Sequence, residues 1–234
     1  MSGWEPLVSV IIPVFEQLDY LVEAVESVAA QTLPPAEVIV VCDGGRAAPA
    51  PMLAGCGLPV RIVARPRGGP GAARTTGCAL ATGAVLTFLD ADDVWLPEKL
   101  ELQMAALERT PTLDMVFAGV EQFFSPELGW AGRPIASAAA ERAGLLPSAL
   151  AVRAASFARV GAFRNGVIFG EFLDWYARAL DLGLGGCTID QILVRRRVHA
   201  RNAGVQLRAA RHDYTRAVKD MLDRRRIADP ADAG

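Results

Sequence analysis

The chain predicts an α/β domain built on a doubly wound, mostly parallel central sheet. Three features carry that expectation: nearly all-apolar, β-branched runs of strand length at residues 7–14 and 37–41, helical spacing of apolar residues between such runs, and chain breakers where one element must yield to the next. Strands apolar on both faces belong to parallel sheets covered by helices on two sides. Regular strand–helix alternation joined by right-handed crossovers then gives the doubly wound arrangement.

The elements follow in order. Residues 7–14 form a first strand, and a helix opened by Asp19 as cap carries Leu18, Leu21, Val25 and Val28 at helical spacing. Pro34-Pro35 ends it, and residues 37–41 are a second buried strand, completing a βαβ unit. Residues 60–63 are a weaker third strand that leads through RPRGGPGAARTTG into a helix over 72–81. Residues 84–89 are a fourth strand, and Pro97 starts a helix with Leu100, Met104 and Leu107 on one stripe. Beyond Pro111 the pattern loosens. A strand over 115–124, a loop over 125–144, short elements at 145–152 (strand) and 154–160 (helix), an amphipathic helix over 171–182, a strand over 189–198 and a basic helix over 205–226 are expected.

The totals narrow the function. With 24 Lys+Arg against 26 Asp+Glu the net charge is −2, so no basic field invites nucleic acid. The hydrophobic share of 52% supplies a sizeable core for 234 residues. Cys42, Cys56, Cys78 and Cys187 lack metal-binding spacing, which points to reduced thiols and a cytoplasmic setting. The opening MSGWEPLVSVIIPVF has no basic leader, and no apolar run reaches the ~20 residues of a membrane span, so a soluble chain is expected.

Ligands of an open parallel sheet bind beyond the carboxyl ends of its strands. Those ends offer Phe15-Glu16, Cys42-Asp43-Gly44-Gly45, the segment 65–74 and Asp90-Ala91-Asp92-Asp93. Asp90 and Asp92 point to one side of an extended chain, where two carboxylates repel unless a cation sits between them. Mn²⁺ or Mg²⁺, which takes oxygen ligands and shares its shell with phosphates, resolves that conflict. Helix capping by Asp92 or Asp93 is the other reading of the same residues.

Taken together, VSVIIPVFEQLDYLVEAVESVAAQTLPPAEVIVVCDGG and GGPGAARTTGCALATGAVLTFLDADDVWLPEKLE resemble the family 2 glycosyltransferases of the GT-A fold, strongly over residues 7–110 and more weakly over 145–204. The resemblance implies a single domain with a nucleotide-sugar-binding half (7–110), a smaller C-terminal acceptor and catalytic half (111–204) and a C-terminal helix and tail (205–234). It implies a metal-dependent, inverting enzyme that takes a sugar from a UDP- or dTDP-linked donor to an acceptor hydroxyl. Pro13, Val14, Phe15 and Glu16 match the strand end that seats the base, Asp43 the carboxylate accepting from the uracil N3–H, and Arg74 the arginine of an ARN motif. Asp90, with Ala91 beside it, matches the ribose-facing acid and Asp92 the metal ligand.

In the same family an ED pair opens a helix and supplies the base. Aligning Trp175 puts Glu171 in that place, with Asp174, three residues on, as the second candidate. RRRVH resembles the family's R-x-H-x-x-N element, which gives His199 to the metal shell, Arg197 to the departing diphosphate and Asn202 to the same register. Two departures stand out: Cys42 replaces the first acid of the usual DDGS, and Arg74-Thr75-Thr76 replaces ARN. They keep open a nucleotide-sugar-binding module with little turnover. A sugar nucleotidyltransferase is the third reading, against which PVFEQLDY offers neither glycine nor lysine for a phosphate loop. The basic last helix suits packing on the body or in a homodimer, or a peripheral contact with anionic membrane.

Overall fold

The computed structural model describes residues 6–15, 18–45, 48, 50–125, 145–164 and 170–199. Four strands open the sheet: β1 (Val8–Val14), β2 (Glu37–Asp43), β3 (Val60–Arg65) and β4 (Val85–Phe88). They stand in the order β3-β2-β1-β4 and are parallel throughout, with Ile11 opposite both Ile39 and Phe88. Helices α1 (Leu21–Ala29) and α2 (Pro70–Leu80) are among the connections. Val10, Ile11, Ile12, Val38, Ile39, Val40 and Val41 are fully buried, as strands covered on both faces must be. Glycine at 77 lets α2 lie directly on β1, because a Cβ there would stand 2.4 Å from Ile11 Cγ2.

The rest of the sheet breaks the simple pattern. After β5 (Val94–Trp95) and α3 (Lys99–Arg109) come β6 (Met115–Phe124), β7 (Ala151–Arg153), α4 (Ala154–Val160), α5 (Glu171–Asp181) and β8 (Gly186–Val198). The full order is β3-β2-β1-β4-β7-β6-β8-β5. Strand β7 runs antiparallel to both β4 and β6, β8 lies parallel to β6, and β5 pairs antiparallel with β8. The sheet is thus mostly parallel and curled, with helices flanking it.

Several boundaries differ from expectation for local reasons. The strand expected over 145–152 opens instead as a 3-10 turn, Pro147–Ala149, where Ala149 and Leu150 donate to the carbonyls of Leu146 and Pro147; only Ala151–Arg153 is strand. The cap position of α1 is Tyr20 rather than Asp19, and it carries no side-chain cap hydrogen bond. Pro97 lies outside α3, and its carbonyl accepts from Thr32 N at 2.9 Å. Helix α2 starts at Pro70, two residues before the expected place, because proline suits the first helical turn. Strand β8 begins at Gly186, pairing with Met115, rather than at residue 189. The loop over 126–144, the basic helix over 205–226, Glu16 and Asn202 lie outside the described residues.

Candidate active site

Because β1, β2 and β4 are parallel, their carboxyl ends share one edge, and Val14, Asp43 and the turn after Phe88 meet there. The turn is Asp90-Ala91-Asp92-Asp93, closed by a hydrogen bond from Asp93 N to Asp90 O at 3.0 Å. Leu89 N still donates to Ile11 O at 3.0 Å, so the turn starts where β4 loses its last contact with β1.

Arg74, on the buried face of α2, is the hub. Its Nη2 donates to Asp90 Oδ1 at 2.5 Å and its Nη1 to Glu171 Oε1 at 2.7 Å. Glycine at 71 permits this closeness, since a Cβ there would meet Glu171 Cγ at 2.9 Å. Burial works against the guanidinium charge, but the carboxylates of Asp90 and Glu171 outweigh it and raise the arginine's pKa above its ordinary value. Its Nε is buried without a hydrogen-bond partner.

Across the turn, His199 Nε2 lies 3.0 Å from Asp92 Oδ2, and Tyr20 packs on the imidazole with ring centroids 5.2 Å apart. Arg197 donates through Nε to the carbonyl of Asp92 at 3.0 Å, pairs with Glu23, and lies between the rings of Tyr20 and Phe123. Asp93 is buried and accepts from Ser148 Oγ at 2.7 Å and from Arg197 N at 3.1 Å. Burial first, then the neighbouring charges of Asp92 and Asp90, raise its pKa well above the usual carboxylate range.

The remaining expected residues divide. Asp43 is buried and accepts from Arg65, from Gly68 N at 2.9 Å and from Gly69 N at 2.7 Å, so its carboxylate holds the glycine-rich segment at the start of α2. Phe15 lies under the Arg67 guanidinium, 4.4 Å from the ring centroid, with Gly44 against its edge. Pro13 and Val14 are ladder residues of β1, opposite Val41 and Cys42. Asp174 shares α5 with Glu171 but joins a different group of charges, Arg178 at 3.1 Å and Arg164 at 3.1 Å. The spacing that suggested a common face therefore separates the two acids.

The two departures from the family pattern also have structural uses. Cys42 Sγ accepts from Ala48 N at 3.1 Å, and Thr75 Oγ1 accepts from Phe163 N at 3.2 Å. Sequence reasoning missed Ser148, Glu23, Tyr20 and Arg65. Only Arg65 carried a signal, its place at the end of β3 beside Asp43. No group of three His, Cys, Asp or Glu side chains among the described residues forms a metal-holding cluster by itself. No helix among them is long and apolar enough to cross a membrane.

A curled sheet of this order, with an acid-bearing turn at the carboxyl edge of β4, defines a GT-A-type α/β fold. The chain belongs to glycosyl transferase family 2, whose model matches residues 9–158. It is 34% identical over 119 residues to an uncharacterized glycosyltransferase of Rickettsia prowazekii (strain Madrid E), covering 50% of this chain and 37% of that protein. It is 38% identical over 99 residues to the succinoglycan biosynthesis protein ExoW of Rhizobium meliloti (strain 1021), covering 39% of this chain and 31% of that one. The chain thus spans about a third of these relatives' length. In fold it resembles the crystal structure of S. aureus TarS 1-349 in complex with UDP-GlcNAc, at a TM-score of 0.71 and 18% identity over 92% of this chain and 65% of that one.

Proposed function

We propose that this chain is a metal-dependent, inverting glycosyltransferase that takes a sugar from a UDP-linked donor to an acceptor hydroxyl. The observation that carries the reading is the double grip of Arg74. One buried guanidinium touches Asp90 on the donor-side turn and Glu171 on the opposite helix, so a donor-facing acid and a candidate base lie on either side of a single cation. Family membership supports the reaction class, and the UDP and UDP-GlcNAc complexes of TarS support a uridine donor over a dTDP one.

The roles follow from chemistry and placement. Glu171 takes the proton of the acceptor hydroxyl as that oxygen attacks the anomeric carbon. A single displacement with inversion suits a site that offers a base and no group placed as a covalent nucleophile. Pro13, Val14 and Phe15 line the base end, with Glu16 next in sequence. Asp43 reads the imide N–H by exchanging one of the hydrogen bonds it makes to the segment 65–69. Asp90 and Ala91 face the ribose, and Asp174 orients α5 rather than acting as base. Residues 7–110 serve the donor and 111–204 the acceptor side.

The carboxylates of the turn offer oxygen ligands to a hard divalent ion, which would need the donor's phosphates to complete its shell because the described side chains form no three-membered cluster by themselves. Asp92 is 26% exposed at its side chain, His199 touches it, and Asp90 is 35% exposed with only Oδ1 held by Arg74. Mn²⁺ or Mg²⁺ would be held by Asp92, Asp90 and His199, with Asn202 close in sequence. When bound, the ion supplies charge compensation for the leaving diphosphate. Arg197 adds a fixed positive charge on the same side.

The test is donor hydrolysis by the chain with UDP-GlcNAc and Mn²⁺, read as released UDP, beside UDP binding by calorimetry with and without EDTA. Release that needs both the metal and Glu171 is expected. UDP affinity without release would favour a binding module, and pyrophosphate made from UTP would favour a nucleotidyltransferase.

A further inference from the structure

Asp93 has no part in the reading above, yet it is the most enclosed acid of the turn. Its residue is 4% exposed, against side-chain exposures of 35% and 26% for Asp90 and Asp92. Its two oxygens are held from different segments. Ser148 Oγ donates to Oδ2 at 2.7 Å, and the backbone N–H of Arg197 donates to Oδ1 at 3.1 Å.

The same Ser148 hydroxyl oxygen accepts from Asp90 N at 3.1 Å, and the Ser148 carbonyl accepts from Trp95 Nε1 at 2.8 Å. One fully buried serine therefore touches the first residue of the turn, its last residue and the strand that follows. Arg197 completes the hold by donating from Nε to the Asp92 carbonyl at 3.0 Å. Two acids aimed at one ligand repel each other, and a free turn would relax to part them. Here the backbone on both sides of the pair is tied to distant elements, so that relaxation is blocked. The rotation of Ser148 into this place depends on the 3-10 turn Pro147–Ala149, the feature that replaced the expected strand.

We propose that Ser148 and Asp93 are positioning residues, a latch that presets the turn 90–93 so that Asp90 and Asp92 face the donor before it arrives. The proposal rests on the reading of that turn as the donor-diphosphate site. Its benefit is preorganisation: a turn already ordered loses little freedom on binding.

Two readouts on the whole chain decide it. The first is amide hydrogen exchange over residues 88–96 without ligand, and the second is UDP affinity with Mn²⁺ by calorimetry. Ser148→Ala leaves Asp90 N and one Asp93 oxygen unpaired, so exchange in the turn should quicken about tenfold and UDP should bind about tenfold more weakly. Asp93→Asn keeps an acceptor for Arg197 N but reverses the donor and acceptor at Ser148 Oγ, so both readouts should move in the same direction as in Ser148→Ala and by less. Ser156→Ala is the control. It removes a hydroxyl of another buried serine, bonded to Asp114 at 2.5 Å elsewhere in the fold, and should lower stability without touching either readout.

Should Ser148→Ala fail to fold, Asp93→Ala cuts the latch from its other side and is read in the same way. Wild-type exchange in Ser148→Ala, or equal effects of Ser148→Ala and Ser156→Ala on UDP affinity, would overturn the latch. A wild-type chain that binds no UDP would sink the proposed function instead, while the exchange comparison would still decide whether the latch exists.

Discussion

Among the buried cations of the described residues, Arg74 and Lys99 are treated in opposite ways. Arg74 is 3% exposed and lies between the carboxylates of Asp90 and Glu171; Lys99 is fully buried, and its Nζ donates to Thr87 Oγ1 at 3.1 Å and Gln103 Oε1 at 2.9 Å, 3.8 Å from the Trp95 ring centroid. The arginine's pKa is raised by its acids. The lysine's is pushed well below its ordinary value by burial, and the groups it touches are a hydroxyl, an amide and an indole face. The contrast teaches where charge serves the chemistry. At the carboxyl edge it is balanced and held ready, whereas beneath the sheet the lysine ties Thr87 of β4 to Gln103 of α3.

Substitutions can break or sharpen this contrast. The largest effect is expected from Arg74→Met, which leaves Asp90 and Glu171 facing each other. It should cost about 3 kcal/mol in urea unfolding, the lower end for a broken buried pair because Asp90 is partly exposed and screened, and it should abolish UDP release. Glu171→Gln keeps a hydrogen-bonding group on Arg74 and should leave UDP affinity within about threefold while slowing donor turnover by roughly 10²–10⁴. Unchanged turnover in that variant would remove Glu171 from the chemistry. Asp174→Asn loosens the pairs with Arg178 and Arg164 and should cost about 1–3 kcal/mol of stability, with turnover reduced less than about tenfold. A greater loss of turnover than in Glu171→Gln would reverse the two assignments.

The smallest effect belongs to Lys99→Met, a swap of similar volume that should change stability at pH 7 by less than about 1.5 kcal/mol. Its signature is pH dependence. Because the folded chain binds the lysine proton less tightly than the unfolded chain, whose pKa is 10.5, wild-type stability gains as pH rises through the interval below 10.5 and loses that contribution as pH falls through the folded value. The variant lacks this component. The difference between the two urea-unfolding curves isolates it, since the Cys78 thiol, pushed up to about 12 by burial, acts in the opposite sense in both proteins. Parallel curves would show that Lys99 keeps its proton equally well in both states.

How much of this was legible in the sequence depends on distance along the chain. Strands β1, β2 and β4 announce themselves because each carries its own apolar run, and α5 because Phe172 and Trp175 repeat at helical spacing. Arg74, Asp90 and Glu171 were found as motif positions. Their joining by a single guanidinium was not, since no local pattern records a contact across 97 residues. Ser148 was hidden for the same reason, reaching Asp90 and Asp93 from 58 and 55 residues away, and the small residues around it read as strand. Strand β5 is only two residues long and exists because β8 pairs with it. The antiparallel direction of β7 has no signature in three residues.

The long reach of these contacts bears on how the molecule is made. Arg197 meets Glu23 across 174 residues and Asp93 across 104, and His199 meets Asp92 across 107. A nascent chain can therefore assemble its first four strands, with Arg74 already at hand for Asp90, while Asp92 and Asp93 still lack their partners from the end of β8. Only when the far end of β8 leaves the ribosome do Asp92 and Asp93 gain these partners, so the turn after β4 is completed late in translation.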